Sequence, residues 1–213
     1  MGGVAKGLLP APDSGEPLVA RLRHKAESLG LRCVLVGAAP AYAGLGLEMI
    51  GDDPPGLGPL GGLRALLRAA AGAPVLALAC DLPFVSRALL ARLASPGAHE
   101  TDDPDRIHPP RLPDANAAEQ SGRQRWPADA PIDVLAARRQ ERWEPLCARY
   151  HASVLPVLDA ALAEGERSFQ GLLRRLRVGE LRLSPEQEHE LTDWDAPGDI
   201  PALLQPPKAS SSR

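Results

Sequence analysis

The stretch APVLALACD, residues 73–81, constrains this chain more than any other. Six apolar residues run from Val75 to Cys80 without a polar interruption, and Asp81 ends the run. A strand with one face in water alternates polar and apolar residues, so an unbroken run needs cover on both faces. Helices layered on either side of a sheet supply that cover, which makes the chain an α/β protein.

The flanking sequence has the matching rhythm. PLVARLRHKAESLG sets Leu18, Leu22 and Ala26 at helical spacing and stops at Gly30. RCVLVG and EMIGD are short strand signals, and GGLRALLRAAAG reads as a helix with Leu63, Leu66, Leu67 and Ala70 on one stripe. VSRALLARLAS follows the long apolar run as a helix capped by Ser86. Strand–helix alternation at this spacing predicts a mainly parallel, Rossmann-like sheet joined by right-handed crossovers, with helices on both faces.

From Pro96 to Pro131 the rhythm fails. The segment holds seven prolines, and its large apolar residues are Ile107, Leu112 and Trp126. It buries too little to offset the entropy of ordering, so residues 99–131 are expected to be a disordered insertion. Order resumes with IDVLAA and WEPLCARY, two strand-like pieces around the charged turn RRQER. ASVLPVLDAALAEG, stopped by Gly165, and SFQGLLRRLRV, capped by Ser168, read as helices. Ser184, Pro185 and Gln187 carry the signature of a capping box. One domain over residues 1–204 is expected, with 205–213 a disordered tail.

Bulk properties exclude several classes of function. In 213 residues the hydrophobic share is 44% and the aromatic share 3%, so the core is built of Leu, Val and Ala. A net charge of −3 offers nucleic acid no electrostatic footing. Cys33, Cys80 and Cys147 are widely spaced, which fits a reduced cytoplasmic protein. No apolar run approaches the ~20 residues a membrane helix needs, and no charged-then-apolar leader is present. The five histidines show no ligand spacing with one another or with cysteine.

Several positions carry possible chemistry. Open α/β sheets bind ligands outside the carboxyl ends of their strands, where Asp81 sits. A carboxylate there can hold Mg²⁺, which takes few protein ligands and completes its shell with phosphate and water; it can equally cap the turn before Pro83. GDDPPGLGPLGG leads glycine-rich backbone into a helix, which suits either close approach to a ligand or a flexible connection. Asp193 and Asp195 in DWDAPGD share a face if extended, as a metal pair or a surface turn would. The opening MGGVAKGLLP has the composition of a phosphate-cradling loop, with Lys6 as a point charge. Arg174, Arg175, Arg177 and Arg182 cluster on what reads as a solvated face or a site for a phosphorylated partner.

In order, MGGVAKGLLP, VLVG, GPLGGLRALL, LACDLPFVSRALLARL, RWEPLCARY, LAEGERSF and DWDAPGDI resemble the molybdenum cofactor guanylyltransferase family over residues 1–98 and 132–204. The resemblance implies a Rossmann-like nucleotidyltransferase that joins GMP from GTP to molybdopterin and releases pyrophosphate. It implies that Gly2 and Gly3 end the loop around the phosphates and that Lys6 contacts them. Asp52 matches an acidic nucleotide-binding position, and Gly37 falls where some members place a nucleotide-contacting asparagine. Asp81 matches the carboxylate that holds Mg²⁺, and Asp195 a second ligand position, with catalysis resting on Lys6 and Asp81. Molybdoenzymes or other cofactor-biosynthesis proteins are the implied partners, in the cytoplasm.

In the family the glycine loop follows a hydrophobic first strand, and this chain opens inside that loop. The resemblance therefore implies a central strand missing from the sequence as given and a longer natural product. Two other functions stay open: a cytidylyl- or other nucleotidyltransferase of the same fold, and a non-catalytic remnant that binds a partner through its arginines or its insertion.

Overall fold

A computed structural model describes residues 5–37, 40–95, 107–108, 131–139 and 142–194. Two sheets form its frame. In the smaller, β1 (Val34–Val36) pairs in parallel with β2 (Glu48–Ile50). The larger has the order β3 (Val75–Leu78), β6 (Arg142–Tyr150), β5 (Val134–Arg139), β7 (Val178–Leu181) and β4 (Ile107–His108). β5 and β7 run parallel, whereas β6 lies antiparallel to both β3 and β5, and β4 antiparallel to β7.

The α/β class holds, and the larger sheet is mixed. Its antiparallel pairs arise because β5 and β6 join through a charged turn too short for a crossover, which only a hairpin can use. The helix expected over SFQGLLRRLRV, residues 168–178, ends at Leu173, and β7 begins at the last residue of that stretch. Pairing with β5, from Val134↔Val178 to Ala137↔Leu181, holds β7 extended. Ile107 and His108 lie inside the segment expected to be disordered, yet pair with Gly179 and Val178; the rest of that segment is outside the described residues.

Among the described residues six helices cover the sheets: α1 (Leu18–Glu27), α2 (Pro59–Ala69), α3 (Arg87–Ala94), α4 (Val154–Ala163), α5 (Phe169–Leu173) and α6 (Pro185–Glu190). Alternate residues of each strand face opposite layers. Val134 and Ala136 pack with Leu60, Leu63 and Leu67 of α2 and Leu158 of α4. Leu135 and Ala137 pack with Leu22 of α1 and Leu89, Leu90 and Leu93 of α3. The central strand VLAA is therefore buried on both faces. Side chains of Ser86, Ser168 and Ser184 accept from the N–H groups of Leu89, Gly171 and Gln187, and Ser184 with Gln187 completes a capping box.

Among the described residues, neither β1 nor β3 has a strand on its second edge. A cavity of about 740 Å³ lies between those edges, walled by Val34–Gly37, Val75–Leu78, Leu22 of α1 and Leu63 and Leu66 of α2.

Candidate active site

Everything of interest gathers where β1 and β3 end. Beyond β3 the chain passes through Cys80 to Asp81, and the 3₁₀ turn Lys6–Leu8 lies against that end. Lys6 Nζ donates to Asp81 Oδ2 at 3.0 Å, with side-chain exposures of 27% and 18%. This pair joins residues 75 positions apart. Each charge remains open to solvent on one side, so either can exchange its partner for an arriving ion or phosphate.

The lysine turn is held from below. Gly7 is buried, and its N–H donates to the Tyr42 hydroxyl at 3.1 Å. A Cβ on Gly7 would lie 3.0 Å from Tyr42 Oη and 3.1 Å from Cys80 Cβ, so no larger residue fits without displacing something. Tyr42 comes from the 3₁₀ segment Pro40–Leu45 between β1 and β2 and is 9% exposed. No sequence pattern singles it out, because its partner is 35 positions away.

Gly37 ends β1 with φ +109°, a left-handed conformation that glycine adopts without cost. Gly37, Asp52, Gly58 and Cys80 all line the cavity. Of the two neighbouring aspartates, Asp53 is committed to structure: it binds Arg64 at 3.0 Å and Arg68 at 2.5 Å, pinning the loop to α2. Asp52 is left facing the cavity. The glycines of GPLGG have a packing task. A Cβ on Gly62 would meet Val36 Cγ1 at 3.0 Å and Asp52 Oδ1 at 3.3 Å, and one on Gly61 the Pro54 carbonyl at 3.1 Å. Their N–H groups are already donated to the Gly58 carbonyl, at 3.0 Å from Gly61 and 3.2 Å from Gly62.

A third cluster locks the carboxyl-terminal motif onto this end. Trp194, 1% exposed, packs with Leu9, Ala11, Leu18 and Phe84. Gly2, Gly3 and Asp195 lie outside the described residues. Arg177 is not part of a solvated face: it is 5% exposed, and its N–H donates to Asp133 Oδ2 at 3.0 Å, because β7 and not a helix follows it. Arg175 pairs with Glu164 at 2.6 Å.

Cys80 is no nucleophile. Burial pushes its thiol pKa up, and the neighbouring Asp81 charge adds to the effect. Thiols in this state are inert. Among the described residues no three His, Cys, Asp or Glu side chains group to hold a metal unaided. None of the described helices is long and apolar enough to cross a membrane.

An α/β frame with a lysine–aspartate pair at its strand ends, beside a largely apolar cavity, is a frame that nucleotidyltransferases use. Residues 1–180 match the family model of the MobA-like NTP transferase domain, and the chain belongs to that family. It is 33% identical over 205 residues to a molybdenum cofactor guanylyltransferase of Pseudomonas putida, covering 92% of this chain and 87% of that one. A protein of the same name from Xanthomonas euvesicatoria pv. vesicatoria is 39% identical over 206 residues, with coverage of 95% and 87%. The crystal structure of molybdopterin-guanine dinucleotide biosynthesis protein A from Archaeoglobus fulgidus shares the fold, with TM-score 0.61, 23% identity and coverage of 92% and 87%.

Proposed function

We propose that this protein transfers GMP from GTP to molybdopterin, forming the guanine dinucleotide cofactor and releasing pyrophosphate. The observation that carries the reading is the ion pair between Lys6 and Asp81 at the carboxyl end of β3. Phosphoryl transfer asks a protein mainly to position two anions and to neutralise developing charge. One cation and one carboxylate, adjacent and partly exposed, are the side chains that task requires.

In the transfer, an oxygen of the molybdopterin phosphate bonds to the α-phosphorus of GTP, and the bond from that phosphorus to the β-phosphate bridge breaks. Pyrophosphate departs with the electron pair. The nucleophile is already ionised at neutral pH, so no general base is needed. Lys6 leaves Asp81 for the phosphates and steadies the pyrophosphate. Asp52 and Gly37, which line the cavity, are the residues we assign to the nucleotide side of the site.

Asp81, so released, would hold Mg²⁺. A single carboxylate suits an ion that takes one or two protein ligands and fills its shell with phosphate and water. Bound there, Mg²⁺ supplies charge neutralisation at the reacting phosphoryl group. Asp195 is the second ligand we assign. Its neighbour Trp194 is tied to Asp81 through the backbone, which supports the assignment. Three free thiols fit a reducing compartment, and we place the reaction in the cytoplasm.

The test is an assay of purified protein with GTP, ATP or CTP, Mg²⁺ and molybdopterin. Pyrophosphate release with formation of the guanine dinucleotide, faster with GTP than with the others, is expected. Faster turnover with CTP would make the protein a cytidylyltransferase, and no turnover with any nucleotide would overturn the reading.

A further inference from the structure

We infer that Tyr42 is a positioning residue of this site, a strut whose hydroxyl fixes the backbone under Lys6. The inference rests on the role proposed for Lys6. A lysine side chain is a charge on a long flexible stem, so where it can reach depends on how firmly its backbone is held. Here the backbone on either side of Lys6 has different supports. On the amino-terminal side Ala5 leads into the 3₁₀ turn with no side-chain cap. On the carboxyl-terminal side the Gly7 N–H is given to Tyr42 Oη at 3.1 Å.

Three further observations make this contact a built one. The absence of a side chain at Gly7 is what lets the ring approach, since a Cβ would lie 3.1 Å from Tyr42 Cε1 and 3.0 Å from Oη. The same hydroxyl lies 4.0 Å from Cys80 Sγ, so it touches the residue before Asp81 as well as the one after Lys6. Both members of the charged pair are thus referred to one fixed oxygen. Finally, the segment that carries Tyr42 is itself anchored, because Arg23 donates to the Leu45 carbonyl at 3.0 Å. Burial also raises the pKa of the phenol, which keeps the hydroxyl protonated throughout the neutral range.

When Lys6 exchanges Asp81 for a phosphate, the salt bridge no longer helps to hold the turn. The hydrogen bond from Gly7 then keeps the ammonium group within reach of the phosphate. Tyr42→Phe removes the hydroxyl and leaves the ring in its packing site, so the buried N–H keeps only the weak acceptor Cys80 Sγ.

Two arms test this. In the first, hydrogen exchange of the Gly7 amide is followed without any substrate; Tyr42→Phe is expected to speed it about five- to tenfold while amides of β5 and β6 keep their protection. Unchanged exchange at Gly7 overturns the strut whatever the enzyme's reaction proves to be. In the second, kcat/KM for GTP is measured for Tyr42→Phe, Lys6→Met and the double variant. A fall of about tenfold in Tyr42→Phe that vanishes when Lys6 is already Met shows that Tyr42 acts through Lys6. A fall of equal size in both backgrounds means that the hydroxyl acts independently of Lys6, and it overturns the inference. Wild-type protein that turns over no nucleotide refutes the proposed function, and the exchange experiment still decides the strut.

Discussion

Trp194 donates its backbone N–H to the backbone carbonyl of Asp81 at 3.2 Å. Two segments more than a hundred residues apart thus meet at the carboxylate that the site depends on. The aspartate's position is set from three directions: by β3 behind it, by Lys6 beside it and by the backbone of Trp194. Because Trp194 is also buried among Leu9, Leu18 and Phe84, the site and a piece of the core are one structure.

Asp81→Asn should abolish turnover and leave the fold intact. The amide keeps the shape but loses the charge, removing the metal ligand we propose, worth several kcal/mol of transition-state stabilisation, roughly 10²-fold or more in rate. Stability should change little, because a partly exposed ion pair contributes about 0–1 kcal/mol. Steady-state kinetics with a thermal melt checks both. Retained turnover would remove Asp81 from the mechanism.

Trp194→Ala should do the reverse. A buried tryptophan truncated to alanine typically costs ~3–5 kcal/mol, and this one is also stacked edge-on to Phe84, with ring centroids 6.2 Å apart. Chemical denaturation should show a large loss of stability. GTP turnover should change little by comparison, because the substitution keeps the backbone N–H that the Asp81 carbonyl accepts.

Adding a strand should stabilise the molecule. Among the described residues the facing edges of β1 and β3 pair with no further strand and lie beside an apolar cavity of about 740 Å³. About five apolar β-formers and a Gly-Gly turn joined ahead of residue 1 would pair with both edges, each buried Val or Leu adding ~1.5–3 kcal/mol before ordering costs. A higher melting temperature and tighter GTP binding are expected. An unchanged melt would show that the slot does not accept a strand.

Stability should decline in alkali. Burial pushes the Cys147 thiol up to about 12 from an ordinary value near 9.0. A group whose folded pKa is raised contributes stability below its unfolded pKa and loses it as pH rises through the folded value. The loss should therefore spread from about pH 9 to about pH 12. Tyr150, fully buried and shifted the same way, adds to it at the upper end. Denaturation midpoints across this range should show a shallower decline in Cys147→Ala than in the wild type.

Much of the fold was legible because its causes are local. The run from Val75 to Cys80 announces burial on two faces whatever surrounds it. The caps at Ser86, Ser168 and Ser184 act within three residues of themselves, so sequence spacing suffices to find them. Asp81 was legible for the same reason, standing directly after the strand that positions it.

Other features have partners far along the chain, and only the tertiary structure decided them. β7 is a strand because β5 offers it a partner, and the helix read through Val178 stops short of it at Leu173. Arg177 is buried because that strand begins beside it. Asp53, next to Asp52 and chemically identical, is claimed by Arg64 and Arg68 of α2, leaving Asp52 for the cavity. Lys6 meets Asp81 across 75 positions, and the phenol that anchors its turn is supplied by a loop between two other strands. Pattern along a chain records propensity and burial, which each residue carries with it. Which charge finds which partner depends on how the sheets bring distant segments together, and that is a property of the packed molecule.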